Sequence, residues 1–293
     1  RTLPTVPAPS PAASRSTADL TIRMAGIGGT GVVTASQIIG TAAMLAGFHV
    51  RGLDQTGLSQ KAGPVVSDLR LSRDEPVPSN KAKTGAVDVL LAFDQLVGSA
   101  DATITTLSAG YTKAIVNTAA VPTGGMVTHP ERPYPTAEVT DRLGRTAANI
   151  SRVDAHRIVK AILGDDSTVN VFMLGVAVQQ GLVPLAPEVV ERVIDLNGTA
   201  VKKNLAAFTW GRAWAADPAV VEAEAGFPAA GAADDEEPLR DRLHADLVGY
   251  QSERYAKRFD AVIERVAALG HDELTEAVAR HLHKLMAYKD EYE

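Results

Sequence analysis

The sequence contains no cysteine. This excludes disulfide bonds, and it excludes any zinc or iron–sulfur site ligated by cysteine within these 293 residues. His281 and His283 are two positions apart and so point to different faces of a helix, which disfavours a metal site built on histidine. We therefore predict no metal bound by this chain.

Aromatic residues make up only 5% of the sequence, and no apolar run reaches the roughly 18 residues that a membrane-spanning helix needs. The N-terminal segment also lacks the apolar core of a secretory signal. The net charge is −6, so the chain as a whole repels nucleic acid and anionic lipid. These features predict a cytoplasmic protein without a membrane or nucleic-acid partner.

The composition along the chain predicts four segments. Residues 1–18 combine proline, alanine and serine and are expected to be a linker. Residues 19–215 form the main domain, and residues 216–238, rich in alanine, glycine, proline and acid, form a second linker. Residues 239–293 are an incomplete helical region, with Phe259 and Ile263 on one apolar face and Leu274 and Leu285 on another.

Strand-like and helix-like patterns alternate within the main domain. Strands are predicted near residues 20–25, 49–53, 65–71, 87–93 and 114–117, and helices near 32–48, 151–163, 168–182 and 187–208, the last as one helix or a pair. Residues 54–64 read as a loop. This alternation predicts an α/β fold with a doubly wound, mostly parallel sheet.

The first strand leads directly into a glycine turn. Gly26, Gly28, Gly29 and Gly31 form a G-x-G-G-x-G motif between strand and helix, which is the opening of a Rossmann-like domain. Free N–H groups at the helix start would favour a phosphate, and Asp54 lies where a dinucleotide site needs an acid. No histidine or Tyr-x-x-x-Lys constellation for hydride transfer follows, so phosphate binding and a purely structural turn both stay open.

Two further blocks follow the glycine turn. The loop Gln60-Lys61-Ala62-Gly63 leads into a strand that contains Arg70, and a later block runs from Asn170 to Gly211-Arg212. In this order the blocks resemble the γ subunit or γ domain of 2-oxoacid:ferredoxin oxidoreductases over about residues 20–215, although Ala62 replaces the usual glycine. Residues 239–293 resemble the helical region that follows the γ domain in the fused indolepyruvate type.

This resemblance implies the oxidative decarboxylation of a 2-oxoacid, such as an arylpyruvate, to an acyl-CoA with reduction of ferredoxin. It places thiamine diphosphate, Mg²⁺ and [4Fe-4S] clusters in other domains of the same protein or complex, which are then partners of this chain. Ferredoxin, the 2-oxoacid and coenzyme A are the further expected partners, and a homo-oligomer is expected. No catalytic residue is predicted in this chain, which alone should be inactive.

The candidate binding residues are the four turn glycines together with Gln60, Lys61, Gly63 and Arg70. Lys61 and Arg70 suit an anion such as a coenzyme A phosphate or a substrate carboxylate, and Gln60 suits a polar ligand. A solvated loop charge, a strand-end salt bridge and a backbone cap are the structural alternatives. Two other functions stay open: a Rossmann module for NAD or another adenine nucleotide, and an assembly domain without ligand.

Overall fold

A computed structural model describes residues 2–11, 19–57, 63–122, 126, 134–227 and 239–287. The chain divides into two compact units, residues 1–229 and residues 230–293. All the strands in the described residues belong to the first unit. Within the described ranges, no helix is long and apolar enough to span a bilayer.

The first unit contains a six-stranded sheet in the order β2-β3-β1-β4-β5-β6. Its strands are β1 Asp19–Ile27, β2 His49–Thr56, β3 Pro64–Ser72, β4 Val89–Ala92, β5 Lys113–Asn117 and β6 Asn149–Val153. Neighbours from β1 through β4 and β5 to β6 pair in parallel, whereas β3 runs antiparallel to both β1 and β2. The prediction of a mostly parallel α/β sheet is therefore confirmed, with β3 as the one reversed strand.

Helices cover both faces of this sheet. They are α1 Val32–Leu45, α2 Gln95–Gly98, α3 Asp101–Ile104, α4 Thr136–Thr146, α5 Ala155–Leu163, α6 Val169–Gln179, α7 Pro187–Asn197, α8 Val201–Ala216 and α9 Pro218–Glu224. Ile22 and Met24 of β1 face the larger core, which contains α1 and α5 to α9. Ala25 faces the smaller core together with Val139 and Leu143 of α4. The period-2 alternation of β1 thus separates the two cores.

Helix α6 lies at the centre of the larger core, and all its residues are buried. It packs closely on α8, because both helices have a glycine at the contact. A Cβ added to Gly175 would lie 2.2 Å from the Phe208 carbonyl oxygen, and one added to Gly211 would lie 1.9 Å from that of Phe172. These glycines are required for the two backbones to approach.

The structure corrects two predicted elements and decides between the alternatives for a third. Residues 151–153 belong to β6 rather than to a helix, and α5 begins only after Asp154, whose side chain caps it by accepting from the Arg157 N–H at 3.0 Å. Strand β2 continues to Thr56, beyond its predicted end at residue 53. The helical stretch 187–208, predicted as one helix or a pair, is a pair interrupted at Gly198, where φ is 70°.

Parts of both predicted linkers are ordered on the first unit. Ser10 N–H donates to the Gln179 carbonyl at 2.9 Å, and Gln179 Nε2 donates to the carbonyls of Pro7 and Ala8, both at 3.1 Å. Prolines have few conformations to lose, so this segment can be held by hydrogen bonds with little burial. In the second linker, residues 218–224 form α9, and Val221 is buried.

The second unit contains α10 Leu239–Tyr250, α11 Glu253–Ala267 and α12 Asp272–Met286. Phe259 and Ile263 are buried in its core, as the helical spacing predicts. The second predicted face is wrong at both of its ends, because Leu274 and Leu285 are exposed and Ala279 is the buried residue of α12. The apolar spacing of α12 alone did not distinguish core from surface.

Candidate functional site

The glycine turn lies at the carboxyl edge of the parallel strands, between β1 and α1. The chain moves from β1 to β3 and β2 on one side and to β4 on the other, so β1 and β4 border a topological switch point. Gly28 N–H donates to the Gly63 carbonyl at 2.8 Å, and Gly57 N–H donates to the Pro64 carbonyl at 2.9 Å. The structure therefore brings the turn next to the last residue of the second predicted loop. Gln60 and Lys61 lie outside the described residues.

Glycine is required at three positions of the turn, each for a different physical reason. A Cβ on Gly26 would lie 2.4 Å from Thr30 Oγ1, and one on Gly31 would lie 2.4 Å from Asn170 Nδ2. Gly29 has open space around its Cα but a φ of 96°, which disfavours any L side chain. Packing and backbone conformation thus explain the glycines at positions 26, 29 and 31 without a ligand.

The start of α1 still offers an anion site. Gly31 precedes the helix without a side-chain cap, so the first helical N–H groups, from Val32 to Thr34, have no partner within the helix. They border a depression of about 310 Å³ that also contacts Gly29, Thr56 and Val65. No charged side chain of the described residues lines it. An anion here would be held by backbone donors and the helix dipole.

Asp54 does not occupy the position of a dinucleotide-binding acid. Strand β3 lies between β1 and β2, so Asp54 pairs with Ser67, which pairs with Met24. Two strand spacings separate Asp54 from β1, roughly 10 Å. Ser67 Oγ also hydrogen-bonds Asp54 Oδ1 at 2.5 Å and Ser36 Oγ at 2.7 Å. This arrangement disfavours the alternative of an NAD module.

Arg70 lies away from the glycine turn. It pairs with Thr21, near the start of β1, whereas Pro64 pairs with Ile27 at the turn. Six residues of strand separate Arg70 from Pro64, roughly 20 Å. The guanidinium donates from Nη1 to the Ser79 carbonyl at 3.1 Å. The structure therefore does not bring Arg70 together with the other candidates.

A larger depression, of about 570 Å³, lies on the face of the smaller core. Its described lining includes Gly57, Pro64, Lys81 and Arg23. Arg23 forms a bidentate ion pair with Asp68, through Nε at 2.7 Å and Nη2 at 2.8 Å, and both side chains are buried. Because Arg23 is paired, the exposed Lys81 is the available cation of this lining. Sequence reasoning missed it, since no motif marks it.

Sequence reasoning also missed a polar cluster at the carboxyl edge. Asp94 is buried two residues after the end of β4, Asn117 is buried at the end of β5, and His156 follows β6. A signal was present in part, because polar residues directly after buried strands mark the ligand edge of an α/β sheet. β6 was not recognised as a strand, so His156 lacked this context.

Comparison with known proteins gives a consistent result. Residues 21–214 match the family described as pyruvate ferredoxin/flavodoxin oxidoreductase, and residues 237–293 match a family of unknown function. Indolepyruvate oxidoreductase subunit IorB of Pyrococcus horikoshii is 31% identical over 205 residues, 65% of this chain and 93% of that protein. The pyruvate/ketoisovalerate oxidoreductases common subunit gamma of Thermococcus litoralis is 31% identical, covering 62% of this chain and 90% of that protein.

A solved structure of 2-oxoglutarate:ferredoxin oxidoreductase from Magnetococcus marinus shares the fold, with a TM-score of 0.50 at 21% identity. It covers 68% of this chain and 31% of that one. The fold and the glycine turn at the switch point thus define a Rossmann-like α/β domain. The chain belongs to the pyruvate ferredoxin/flavodoxin oxidoreductase family, as a γ-type domain of a 2-oxoacid:ferredoxin oxidoreductase. It acts as part of a larger enzyme whose cofactors lie in other subunits or domains.

Proposed function

We propose that this chain is the γ module of an indolepyruvate or arylpyruvate:ferredoxin oxidoreductase, and that it borders the shared active site. The carrying observation is the Gly28–Gly63 hydrogen bond, which joins the glycine turn to the second loop at the ligand edge of the sheet. The similarity to subunit IorB supports indolepyruvate as the substrate class. The partners are the thiamine-binding and iron–sulfur parts of the enzyme, with ferredoxin as electron acceptor.

The sequence and the described side chains offer no ligand set for an iron–sulfur cluster or a metal ion. The sequence has no cysteine to ligate an iron–sulfur cluster. In the described ranges, no group of three histidine, aspartate or glutamate side chains is arranged to hold a metal ion. Thiamine diphosphate, Mg²⁺ and [4Fe-4S] clusters are therefore assigned to other parts of the enzyme, and no chemical step is assigned to this chain.

Coenzyme A is the ligand proposed for the loop at Gln60–Gly63. The turn glycines and the first residues of α1 have uncharged backbone N–H groups at this edge, which can donate hydrogen bonds to a phosphate. Lys61 would supply a point charge for the same phosphates. Arg70 is proposed only as a structural residue of β3, because it bonds the Ser79 carbonyl far from the turn.

The domain limits stay proposals as well. We assign residues 19–215 to the γ domain and residues 239–293 to a helical region of the same enzyme.

Packing explains Gly26 and Gly31 without a ligand, so an assembly domain is the second candidate function.

The test is the indolepyruvate- and coenzyme A-dependent reduction of viologen by the complete cofactor-loaded enzyme. We expect activity in the wild type and a coenzyme A KM raised about tenfold in Lys61→Ala, as for a lost phosphate contact. Lys202→Ala, an exposed lysine on α8, is the matched control. An unchanged KM would favour the assembly function for this loop, and absence of any 2-oxoacid activity would contradict the proposed enzyme.

A further inference from the structure

Helix α1 has no charged residue along its 14 positions, although one side of it is exposed. Among the described helices of eight or more residues, only α6 shares this composition, and all residues of α6 are buried. The exposed face of a surface helix normally carries charged residues. The outer face of α1 therefore has the composition of a surface that another element covers.

The outer face of α1 contains a regular seam. Its members follow one another at intervals of 4, 3 and 4 residues and are Thr34, Ile38, Thr41 and Leu45. This is the spacing of the contact residues in a coiled coil. Ile38 is buried at the base of the seam, whereas Leu45 in the last turn is 54% exposed. The seam therefore offers a second helix both a packing surface and a projecting leucine.

A depression of about 310 Å³ lies on the same seam. Its α1 side is lined by residues at helical positions i, i+3, i+4 and i+7, which are Thr34, Gln37, Ile38 and Thr41. Four residues in this arrangement form the hole that receives one side chain of a facing helix in coiled-coil packing. Leu196 of α7, which is 66% exposed, also lines the depression. The depression therefore suits a large apolar side chain.

We propose that a second copy of this chain packs on the seam, with the two α1 helices antiparallel and Leu45 of each copy in the depression of the other. Thr41 lies midway along the helix between Leu45 and the centre of the four residues that form the hole. One two-fold axis beside Thr41 therefore fills both depressions at once. Such a contact uses the same patch on both copies and closes as a dimer.

The distribution of charge favours this occupant. The chain has a net charge of −6, so two copies repel each other over much of their surface. Along α1 neither copy presents a charge, and the seam packed on itself buries no unpaired ion. A partner with charged residues at the contact would have to desolvate them against uncharged side chains. The inference goes beyond the proposed function, because it involves neither a cofactor nor the loop at Gln60–Gly63.

The absence of cysteine makes a cross-linking test direct. In the full 293-residue chain, Thr41→Cys places one thiol beside the two-fold axis, where the Cα atoms of the two copies can approach within the roughly 7 Å that a disulfide allows. Thr34→Cys is the matched control on the same face, and the antiparallel pair separates it from its own copy by roughly 20 Å along the helix.

Under mild oxidation we expect a disulfide-linked dimer of the Thr41→Cys variant and little of the Thr34→Cys variant. A parallel pair in register would link both variants alike, since each position would then face itself. Absence of a Thr41→Cys dimer, or equal amounts of dimer for the two variants, would overturn the antiparallel packing.

Sedimentation velocity tests the dimer without a cross-link. The wild-type chain should pass from monomer to dimer in the micromolar to submillimolar range, because one helix seam is a small interface. Leu45→Lys should raise the dissociation constant at least about tenfold, as for a lost buried anchor. A lysine suits the last turn of a helix, so the fold should be retained. Leu285→Lys, at an exposed leucine in the last turn of α12, is the control and should dimerise as the wild type does.

A wild-type chain that stays monomeric throughout this range, or a dimer that Leu45→Lys leaves unchanged, would overturn the proposal. A monomer would assign the seam to another part of the enzyme. The viologen assay with Lys61→Ala concerns a different loop, so failure of the dimer and failure of the proposed function are distinguishable.

Discussion

Asp68 and Asp94, two buried aspartates of the first unit, differ in whether their carboxyl oxygens have hydrogen-bond partners. Asp68, in β3 opposite Arg23 of β1, accepts two hydrogen bonds from Arg23 and a third from the Ala82 N–H at 2.9 Å. Asp94, at the carboxyl edge, leaves Oδ2 without a partner in the described structure. The first arrangement compensates the buried charges with hydrogen bonds, whereas the second leaves a buried polar atom unsatisfied and so destabilises the folded state. The charge of Asp68 is thus compensated within the fold, whereas one carboxyl oxygen of Asp94 is buried without a partner.

The largest loss of stability is expected when the buried Arg23–Asp68 pair loses one partner. Asp68→Asn removes the charge that neutralises the buried Arg23 guanidinium. We expect a loss of about 3–5 kcal/mol in the free energy of unfolding, as for other buried pairs that lose one partner. Urea denaturation followed by circular dichroism measures this loss.

A double variant with Arg23→Met and Asp68→Leu is the control for this prediction. It removes both charges and keeps apolar volume, so it should regain much of the lost stability. A loss below about 1 kcal/mol in Asp68→Asn would show that solvent reaches the pair, and the contrast with Asp94 would then be wrong.

An intermediate effect on stability is expected at Asp94, and it depends on pH. Burial raises the pKa of Asp94 in the folded state, so the folded protein retains a proton that the unfolded chain has already lost. The stability from this group is fully present below the unfolded pKa and is lost as the pH rises through the folded pKa. The slope cannot exceed about 1.4 kcal/mol per pH unit for one group.

The variant Asp94→Ser tests this sign, because serine retains an oxygen that caps α2. Urea unfolding of both proteins, from acid to neutral pH, should show a wild-type stability that falls with pH relative to the variant. His156 and Tyr134, whose charges act on or respond to Asp94, are the same residues in both proteins. A difference that is independent of pH would contradict the burial of an unpaired carboxyl group.

The smallest effect is expected at an exposed ion pair. Lys203 on α8 hydrogen-bonds Asp165, and this contact together with Ser167 lowers the pKa of the fully exposed Asp165 carboxyl. Its stability contribution is present above the unfolded pKa of aspartate and is lost as the pH falls. Solvent screens the pair, so Lys203→Ala should change the unfolding midpoint little, and less in high salt. An effect as large as that of Asp68→Asn would contradict this ranking.

Local patterns predicted much of the fold. The glycine motif located the turn between β1 and α1, because Gly26 and Gly31 serve contacts with nearby or tightly packed atoms. The apolar run that contains β4 predicted a strand buried on both faces, as observed. The short β6 was missed, since five residues before a helix carry little periodic signal.

The candidate site was predicted only in part. The hydrogen bond between Gly28 and Gly63 unites two of its segments, whereas Arg70 pairs with Thr21 at the other end of β1. The sequence does not show which strands pair or in which register, so it did not show that Arg70 lies at the far end of β1 from the turn. Asp94 and His156 belong to no recognised motif, so the sequence analysis did not identify them.

The sequence by itself determined the α/β class, the glycine turn, the absence of cysteine ligands and the family, because these depend on residue types and short spacings. Only the tertiary structure decided that β3 lies between β1 and β2, which separates Asp54 from the turn. It also decided that Asp94, Asn117 and His156 share one edge. Strand order and the meeting of distant residues arise from the packing of the whole sheet, which no local pattern encodes.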